Sequence, residues 1–424
     1  MFDNSRRRTF VLGLDGVPYS FLKQAFAKGQ MPHLAKMAGQ AGLKKINSVY
    51  PTISSVAWTS YMTGVNPAEH NIFGFVNRNA DPFRITIPTA QDRKAETIWS
   101  ALSRQGKRVI VINVPLTYPP EEVNGILASG FLCTDIEKCA YPASFNRYLK
   151  EKDYIIDVDA WLARSNKKEE FMQQLHQAME KRFQLAWELI EKEKWDFFQL
   201  HIMETDRLFH FFWNDVENQS EFSAPANSFF EKLDLFIHKL QERLSGNDRL
   251  LILSDHGFCA VKSEVQLNAW LEEQGFLRFE DNVEKKLPNY SKESLCYSLI
   301  PGRIFINLQG REQKGSVSKN DYQKLRLEIK EKLLEFNDPN NGEKVIEKVF
   351  FREEIYKGPY LEQAADIIAH PVDGYDLKGK VGAKAVFEMS ELNGMHTYDD
   401  AFALGINLGL DSIDSIQDFK KIIH

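Results

Sequence analysis

The sequence predicts a large doubly wound α/β fold, because short apolar runs alternate along the chain with segments of helical pattern. Near-continuous apolar runs bounded by polar residues or glycine are typical of strands buried on both faces of a parallel sheet. Segments such as 171–193 and 228–244 have the helical pattern, and this alternation favours a doubly wound sheet. The predicted strands are "TFVLGLDG" (9–16), "KRVIVINVP" (107–115), "WDFFQLHIMETD" (195–206), "DRLLILSDHG" (248–257), "GRIFINLQG" (302–310) and "AADIIAHP" (364–371).

The length of 424 residues is enough for two or three average domains or for one large α/β domain that carries insertions. Two regions, about 134–192 and about 261–300, are polar and contain no obvious central strand. We interpret them as insertions or lids around a single core that spans residues 1–424. No internal repeat or low-complexity tract indicates a different organisation.

The composition is that of an ordinary globular protein, with 43% hydrophobic and 26% charged residues, which argues against extensive disorder. The net charge of -6 gives no reason to expect binding to a nucleic-acid polymer. No two cysteines form a CxxC pair, so neither a disulfide framework nor a cysteine zinc site is expected. The four cysteines are Cys133, Cys139, Cys259 and Cys296.

The N-terminal stretch "MFDNSRRRTFVLGLDG" does not match a secretory signal, since its apolar run is only about five residues long and Asp15 interrupts it. No other window approaches the length of a membrane span. We therefore predict a cytoplasmic protein that does not bind membranes. A sheet of this size can stand as a monomer, and the sequence leaves the oligomeric state open.

Residue types that bind metals stand where three of the predicted strands end. Asp15 ends the first run, and the adjacent pair Asp255–His256 ends the fourth. Asp206 ends the third run and is followed by His210. The carboxyl ends of strands in an open α/β sheet form the crevice where ligands bind, and a bound cation is the physical way to hold several carboxylates together there. The sequence therefore predicts a metal site at this edge.

Each of these groups also has a plainer interpretation. Asp15 with its following glycine is a common turn pair. Asp206 and His210, at i and i+4, could form a surface contact or a helix cap, and His396 in "GMH" could lie in a turn. All of them could also be ion pairs in a large core. The metal-site interpretation depends on the four groups occurring together, three of them at strand ends.

The stretch "YPTISSVAWTSYMTGVNPAEHNIFGF" (50–75) contains six Ser or Thr residues and predicts a short helix. We expect Ser54 or Ser55 to cap the helix, and a helix N-terminus is also a ready site for an anion. The expected polar side is Thr59, Ser60 and Thr63, and the expected apolar side is Val56, Ala57, Trp58 and Met62.

Several motifs together resemble the type I phosphodiesterase/nucleotide pyrophosphatase family of the alkaline phosphatase superfamily. The matching pieces are "LDG", "PTISSVAWTSYMTGVNPAEHNIFGF", "TDRLFHFFW", "SDHGF" and "GMH", with weaker matches in "GRIFINLQGRE" and "ADIIAHPVDGYDLKGK". The resemblance runs from about residue 8 to about residue 405. It implies an alkaline phosphatase-like fold with a large, mostly parallel sheet, helices on both of its faces and lid-like insertions.

The resemblance also implies a hydrolase of small-molecule phosphate esters that uses two divalent metals, with zinc expected and manganese possible. The implied nucleophile is Ser54, which would form a phosphoserine; Thr52 and Ser55 are neighbouring hydroxyls. One metal would be held by the nucleophile oxygen with three residues and the second by three others. These sets are Asp15, Asp255 and His256, and Asp206, His210 and His396.

The sequence departs from the family pattern near the expected phosphoryl pocket. Animal members have an asparagine shortly after the histidine that matches His70, and Phe75 stands at that position here. Asn77 and Arg78 lie close by, and we predict that they contact the substrate instead. The departure concerns the substrate pocket and leaves the implied metal ligands intact.

Two other functions fit the same residues. A phosphomutase of this superfamily would return the phosphoryl group to a second hydroxyl and would need a site closed to water. A catalytically inactive binding protein with this fold is the other alternative. A sulfatase is disfavoured, since the residues from Ser54 to Trp58 lack the Cys/Ser-x-Pro-x-Arg pattern.

Overall fold

The computed structural model describes residues 7–165, 167–218 and 220–423. These residues pack into two compact units. The described parts of Met1–Val65, Thr89–Cys259 and Glu391–His424 form the larger unit, and Asn66–Pro88 with Ala260–Ser390 form the smaller one. The single domain over residues 1–424 stays a prediction.

The strands, in chain order, are β1 (Thr9–Leu14), β2 (Lys44–Ile46), β3 (Asn77–Ala80), β4 (Phe83–Thr86), β5 (Val109–Ile112), β6 (Gly125–Ala128), β7 (Ala140–Tyr141), β8 (Phe197–Ile202), β9 (Arg249–Leu253), β10 (Gly257–Ala260), β11 (Ser263–Gln266), β12 (Cys296–Leu299), β13 (Arg303–Ile306), β14 (Ile346–Phe351), β15 (Ile367–Pro371), β16 (Tyr375–Lys378), β17 (Phe387–Glu388), β18 (Gly394–Thr397) and β19 (Ala401–Ile406).

The α-helices are α1 (Tyr19–Ala27), α2 (Pro32–Ala41), α3 (Ser54–Thr63), α4 (Pro67–His70), α5 (Ile98–Arg104), α6 (Phe145–Glu151), α7 (Ala160–Arg164), α8 (Lys168–Lys192), α9 (Glu204–Asn218), α10 (Ser223–Arg243), α11 (Leu267–Glu273), α12 (Tyr322–Leu334), α13 (Arg352–Ile355) and α14 (Lys420–Ile423).

A mostly parallel sheet is the centre of the larger unit. Among the described residues it has eight strands, in the order β2-β19-β9-β1-β8-β5-β6-β7. The strands β9, β1, β8, β5 and β6 run parallel, and β2, β19 and β7 add antiparallel pairs. Both β1 and β8 are buried along their whole length, which explains their near-continuous apolar sequence. The predicted α/β class and central sheet are confirmed.

The strand register brings the predicted ligands to one edge of this sheet. Leu14 of β1 pairs with Ile202 of β8, and Gly13 pairs with Leu253 of β9. The three central strands therefore end at the same level. The residues that follow them emerge side by side.

Two of the predicted strands belong to a different sheet. "GRIFINLQG" and "AADIIAHP" contain β13 and β15, which lie in the smaller unit in an antiparallel sheet of order β12-β13-β15-β14. An apolar run reports burial, and burial alone does not determine which sheet a strand joins. Both segments form strands as predicted, but the expectation that they belong to the central sheet was wrong.

The two predicted insertions have their own regular structure. Region 134–192 contains β7, α6, α7 and α8, and α8 packs against β8, α9 and α10 within the larger unit. Region 261–300 supplies β11, α11 and β12 to the smaller unit. Their role as lids stays a prediction. Within the described part of the chain, no helix has the length and apolar character needed to cross a membrane.

Candidate active site

Asp15 follows β1 directly and is fully buried at the sheet edge. Its backbone N–H donates to the carbonyl of Ile202 at 3.0 Å. The next residue, Gly16, has a φ of 69°, and a Cβ there would lie 2.4 Å from the Phe258 ring, so glycine is required. The N–H of Gly16 donates to Oδ1 of Asp255 at 3.1 Å. This turn therefore joins the ends of β1 and β9.

Ser54 is the first residue of α3 and is only 3% exposed. Its Oγ lies 3.1 Å from Oδ1 of Asp15 and 3.3 Å from Nε2 of His256. The predicted capping role is wrong, because the helix follows Ile53 in extended conformation and no side chain caps it. The Ser54 hydroxyl interacts with the carboxylate and the imidazole instead.

The neighbouring hydroxyls have other surroundings. Thr52 donates its hydroxyl hydrogen bond to the carbonyl of Val49 at 3.1 Å. The Oγ of Ser55 is buried and has no hydrogen-bond partner within the described residues. Of these three hydroxyls, Ser54 is the one that meets both a carboxylate and an imidazole. Its catalytic role stays a prediction.

Helix α3 is buried on every side, including its predicted polar side. All ten of its residues are buried. Thr59 donates to the carbonyl of Ser55 and Thr63 to that of Thr59, each at 2.6 Å. Bonds to the carbonyl four residues earlier let these hydroxyls be buried without any other partner. The polar pattern therefore did not indicate exposure.

Asp15, Asp255 and His256 form a first group of possible metal ligands. Each offers one ligand atom, these atoms lie within 4.8 Å of one another, and all three residues are buried. Nε2 of His256 is 3.4 Å from Oδ1 of Asp15 and 3.4 Å from Oδ2 of Asp255. That Oδ2 accepts no hydrogen bond from the described residues. A buried carboxylate oxygen without a donor is unfavourable, and a cation would compensate it.

Asp206, His210 and His396 form a second group. Asp206 and His210 lie on one face of α9, with Oδ1 and Nε2 3.4 Å apart. Nε2 of His396, in β18, lies 3.1 Å from the same Oδ1 and 3.0 Å from Nε2 of His210. Asp206, His256 and His396 also bring ligand atoms within 4.8 Å, since the rings of His256 and His396 stack with centroids 3.6 Å apart. The two groups therefore adjoin.

The three imidazoles are oriented alike, each with Nδ1 against a backbone carbonyl. A carbonyl can only accept, so each Nδ1 carries the proton, and in a neutral ring Nε2 keeps its lone pair. This is the orientation that metal-binding histidines adopt. The contacts are His256 to Gly257 at 3.0 Å, His210 to Gly394 at 2.9 Å and His396 to Thr52 at 3.1 Å.

The two acids of the first group differ in charge state. Burial favours the neutral form of Asp15, but the contacts with His201 and His256 hold its pKa well below the usual range. Burial and the adjacent charge of Asp15 raise the pKa of Asp255 well above it. Two buried carboxylates this close cannot both carry a charge unless a cation compensates them.

The second group combines a carboxylate with a neutral imidazole. Burial opposes ionisation of Asp206, yet interactions with His210 and His396 lower its pKa to about 2. Burial lowers the pKa of His210 to about 4. At neutral pH Asp206 is therefore charged and His210 is neutral, the states in which both can bind a metal.

Trp58 and His201 were not recognised from the sequence as part of the site. Nε1 of Trp58 donates to Oδ2 of Asp15 at 2.9 Å, and Nε2 of His201 lies 3.0 Å from the same oxygen. Both side chains are fully buried. Trp58 was interpreted only as an apolar contact of α3. A histidine inside a buried strand was the available signal for His201, because a buried polar group needs a partner.

Two ion pairs hold the start of α9. Arg182 of α8 donates from Nε to Oε1 of Glu204 at 2.8 Å, and both side chains are buried. Glu204 stands two residues before Asp206. Arg207, which follows Asp206, pairs with Asp157 at 2.7 Å. Region 134–192 therefore positions the second group of ligands.

The predicted substrate contacts, Asn77 and Arg78, lie in β3 of the smaller unit. The side chain of Arg78 is only 6% exposed and pairs with Glu312 at 2.9 Å. Its guanidinium carbon lies 4.1 Å from the centre of the Phe305 ring. Asn77 pairs with Thr86 of β4. These contacts give Arg78 a structural role, and substrate binding by either residue stays a prediction.

The fold is similar to that of solved phosphohydrolase structures. Phosphonoacetate hydrolase from Sinorhizobium meliloti 1021, in complex with phosphonoformate, has a TM-score of 0.67 at 16% identity, over 99% of this chain and 95% of that chain. Murine ectonucleotide pyrophosphatase / phosphodiesterase 5 has a TM-score of 0.54 at 15% identity, over 94% and 88%. The human protein of that name has 0.54 at 14%, over 94% and 87%. These likenesses show an alkaline phosphatase-like fold.

The family is shown by the sequence itself. Residues 9–399 match the family model described as type I phosphodiesterase / nucleotide pyrophosphatase. That range includes all seven residues predicted for the metal centre and the nucleophile, and such enzymes typically depend on divalent metals. The chain therefore belongs to the type I phosphodiesterase / nucleotide pyrophosphatase family and is a phosphoric ester hydrolase of the alkaline phosphatase superfamily.

Proposed function

We propose that this protein hydrolyses small-molecule phosphate esters through a phosphoserine at Ser54, beside two divalent cations. The position of the Ser54 hydroxyl carries the proposal, since Oγ is 3.1 Å from Asp15 and 3.3 Å from His256. A serine hydroxyl is a weak nucleophile at neutral pH and needs a base or a metal to activate it. The Ser54 hydroxyl has a carboxylate and an imidazole beside it, and both belong to the proposed metal ligands.

Asp15 orients the nucleophile through its two oxygens. Oδ2 is occupied by Trp58 and His201, which leaves Oδ1 to accept the hydroxyl hydrogen bond of Ser54. Ser54 also stands at the N-terminus of α3, where the helix dipole favours negative charge. Charge that develops on a phosphoryl group at this position would therefore be stabilised.

The donor set suits two divalent cations, with zinc expected and manganese the alternative. It consists of three carboxylates and three imidazoles, without a thiolate. The unpaired Oδ2 of Asp255 and the inward Nε2 atoms of the imidazoles support this fit. When bound, two such cations stabilise the attacking and leaving oxygens of an in-line displacement. The two ligand sets would be Asp15, Asp255 and His256, and Asp206, His210 and His396.

A hydrolysis assay tests this function. Protein stripped of metal would be assayed on a chromogenic phosphate diester and the matching monoester, before and after addition of zinc or manganese. We expect activity only with metal, and a loss of roughly three orders of magnitude or more in Ser54→Ala. The ratio of diester to monoester rates would then define the substrate class.

Thr52→Ala and Ser55→Ala are the matched controls, because each removes a neighbouring hydroxyl. Both should retain most of the activity. If Thr52→Ala abolished activity while Ser54→Ala retained it, the assignment of the nucleophile would be wrong by two residues. Failure of the wild-type protein to bind any divalent metal would contradict the proposal as a whole.

A further inference from the structure

Arg303, in the smaller unit, lacks the carboxylate partner that the neighbouring arginines have among the described residues. The motif "GRIFINLQGRE" contains Arg303 and Arg311. Arg311 is paired with Asp366 at 2.6 Å, and Arg78 in the same region is paired with Glu312 at 2.9 Å. Within the described residues, no carboxylate lies within ion-pair distance of Arg303. The nearby Arg78 adds positive charge, which acts on Arg303.

Arg303 is nevertheless buried, with an exposure of only 3%. It opens β13, where it pairs with Leu299 on one side and Ile368 on the other. Burial lowers the pKa of its guanidinium to about 10. A buried charge without a partner is strongly unfavourable, and fold stability alone does not explain keeping one.

The guanidinium is held firmly on one side and open on another. Nε donates to the carbonyl of Ile300 at 2.9 Å, and Nη2 donates to that of Val76 at 3.1 Å. Nη1 donates to no protein atom of the described residues. Protein atoms do not enclose it fully, so solvent reaches it. One amino group therefore remains available in a fixed direction.

A glycine makes room for this arrangement. A Cβ on Gly74 would lie 2.5 Å from Cζ of Arg303 and 2.7 Å from Nη1. Any side chain at this position would displace the guanidinium. The backbone carbonyls and the glycine thus orient Arg303 in advance, which is how binding sites reduce the entropy lost when a ligand binds.

We propose that Arg303 is an anion-binding group of the smaller unit, which takes an oxyanion of a small molecule through Nη1. An oxyanion would supply the missing negative charge and accept a charge-assisted hydrogen bond. The chemistry suits a sulfate-like or phosphate-like group and also a carboxylate. The proposal is independent of the phosphoserine mechanism, because it concerns a different unit and needs no metal.

Sulfate is a suitable probe, since inorganic sulfate has no ester bond that the protein could hydrolyse. Titration calorimetry on metal-free protein, at constant ionic strength with chloride, should show one saturable sulfate site. We expect Arg303→Gln to weaken sulfate binding at least tenfold. Arg84→Gln is the matched control, because it removes an exposed charge of the same unit, and it should bind sulfate as the wild type does. Acetate in place of sulfate would separate a carboxylate site from a tetrahedral oxyanion site.

Thermal melting separates a ligand role from a structural one. Without sulfate, Arg303→Gln should melt no lower than the wild type, because it removes an uncompensated charge. Sulfate should stabilise the wild type and Arg303→Lys, and should leave Arg303→Gln unchanged. The proposal would be overturned by unaltered sulfate binding in Arg303→Gln, by the absence of saturable binding in the wild type, or by the failure of both variants to fold.

Discussion

At the scale of single residues, the site depends on how Asp15 is held. Trp58 and His201 both contact Oδ2, so Oδ1 alone is left to face Ser54 and His256. Trp58 and His201 are both fully buried, and neither side chain can turn away from Asp15 without losing its packing contacts. The carboxylate is therefore held in one orientation. Such outer contacts commonly tune metal affinity.

Trp58→Phe should weaken binding of one metal by about 10- to 100-fold, because Asp15 would lose a donor that orients it. Competition with a chromophoric chelator would measure the affinity for zinc. Trp99→Phe is the matched control, since the buried indole of Trp99, in α5, donates a hydrogen bond to Glu121 that the substitution removes. It should leave the zinc affinity unchanged. Equal affinity in Trp58→Phe and the wild type would contradict the orienting role.

Some residues of the candidate site could be predicted from the sequence, because a general rule relates their place in the chain to their place in the fold. Asp15 and Asp255 follow parallel strands that end at one edge, so their proximity follows from the fold. Ser54 required the resemblance to a family, because three hydroxyls stand in a row. Trp58 and His201 could not be placed at Asp15 from the sequence, because their hydrogen bonds depend on packing between α3 and β8.

At the scale of elements, the region 134–192 supports the site from outside the sheet. Arg182 of α8 reaches Glu204 at the start of α9 and also bonds Tyr154 at 2.6 Å. The pair is buried on both sides, with exposures of 0% and 1%. Since Glu204 lies in the same helical turn as Asp206, α8 holds the second ligand group in place.

Arg182→Met should lower the free energy of unfolding by about 3–5 kcal/mol, because it leaves the buried Glu204 charge unpaired. Urea denaturation would measure the change. The matched control is Lys152→Met, which breaks the partly exposed pair with Glu188 in the same region. That change should stay below about 1 kcal/mol. Equal effects of the two substitutions would show that the Arg182 pair has no special role.

At the scale of the whole molecule, the pattern of apolar residues predicted individual helices and strands better than it predicted how they pack into units. The long helix predicted at 171–193 is α8 (Lys168–Lys192), and the strands near 9–16, 195–206 and 248–257 form the middle of the main sheet. The division into two compact units was not predicted. Residues 66–88 join the smaller unit although they follow α3 directly, and such long-range contacts leave no local pattern.

The most direct test of the central claim is to trap the intermediate on the intact protein. Zinc-loaded enzyme would be mixed with a phosphate diester and quenched in acid during turnover, followed by mass measurement and peptide mapping. Because attack of Ser54 on a diester releases one alcohol, we predict one added phosphoryl group that still carries the other alcohol, located on Ser54 and absent in Ser54→Ala. Phosphate on Thr52 or Ser55, or rapid hydrolysis with no trapped phosphoryl group under any quench time, would contradict the mechanism.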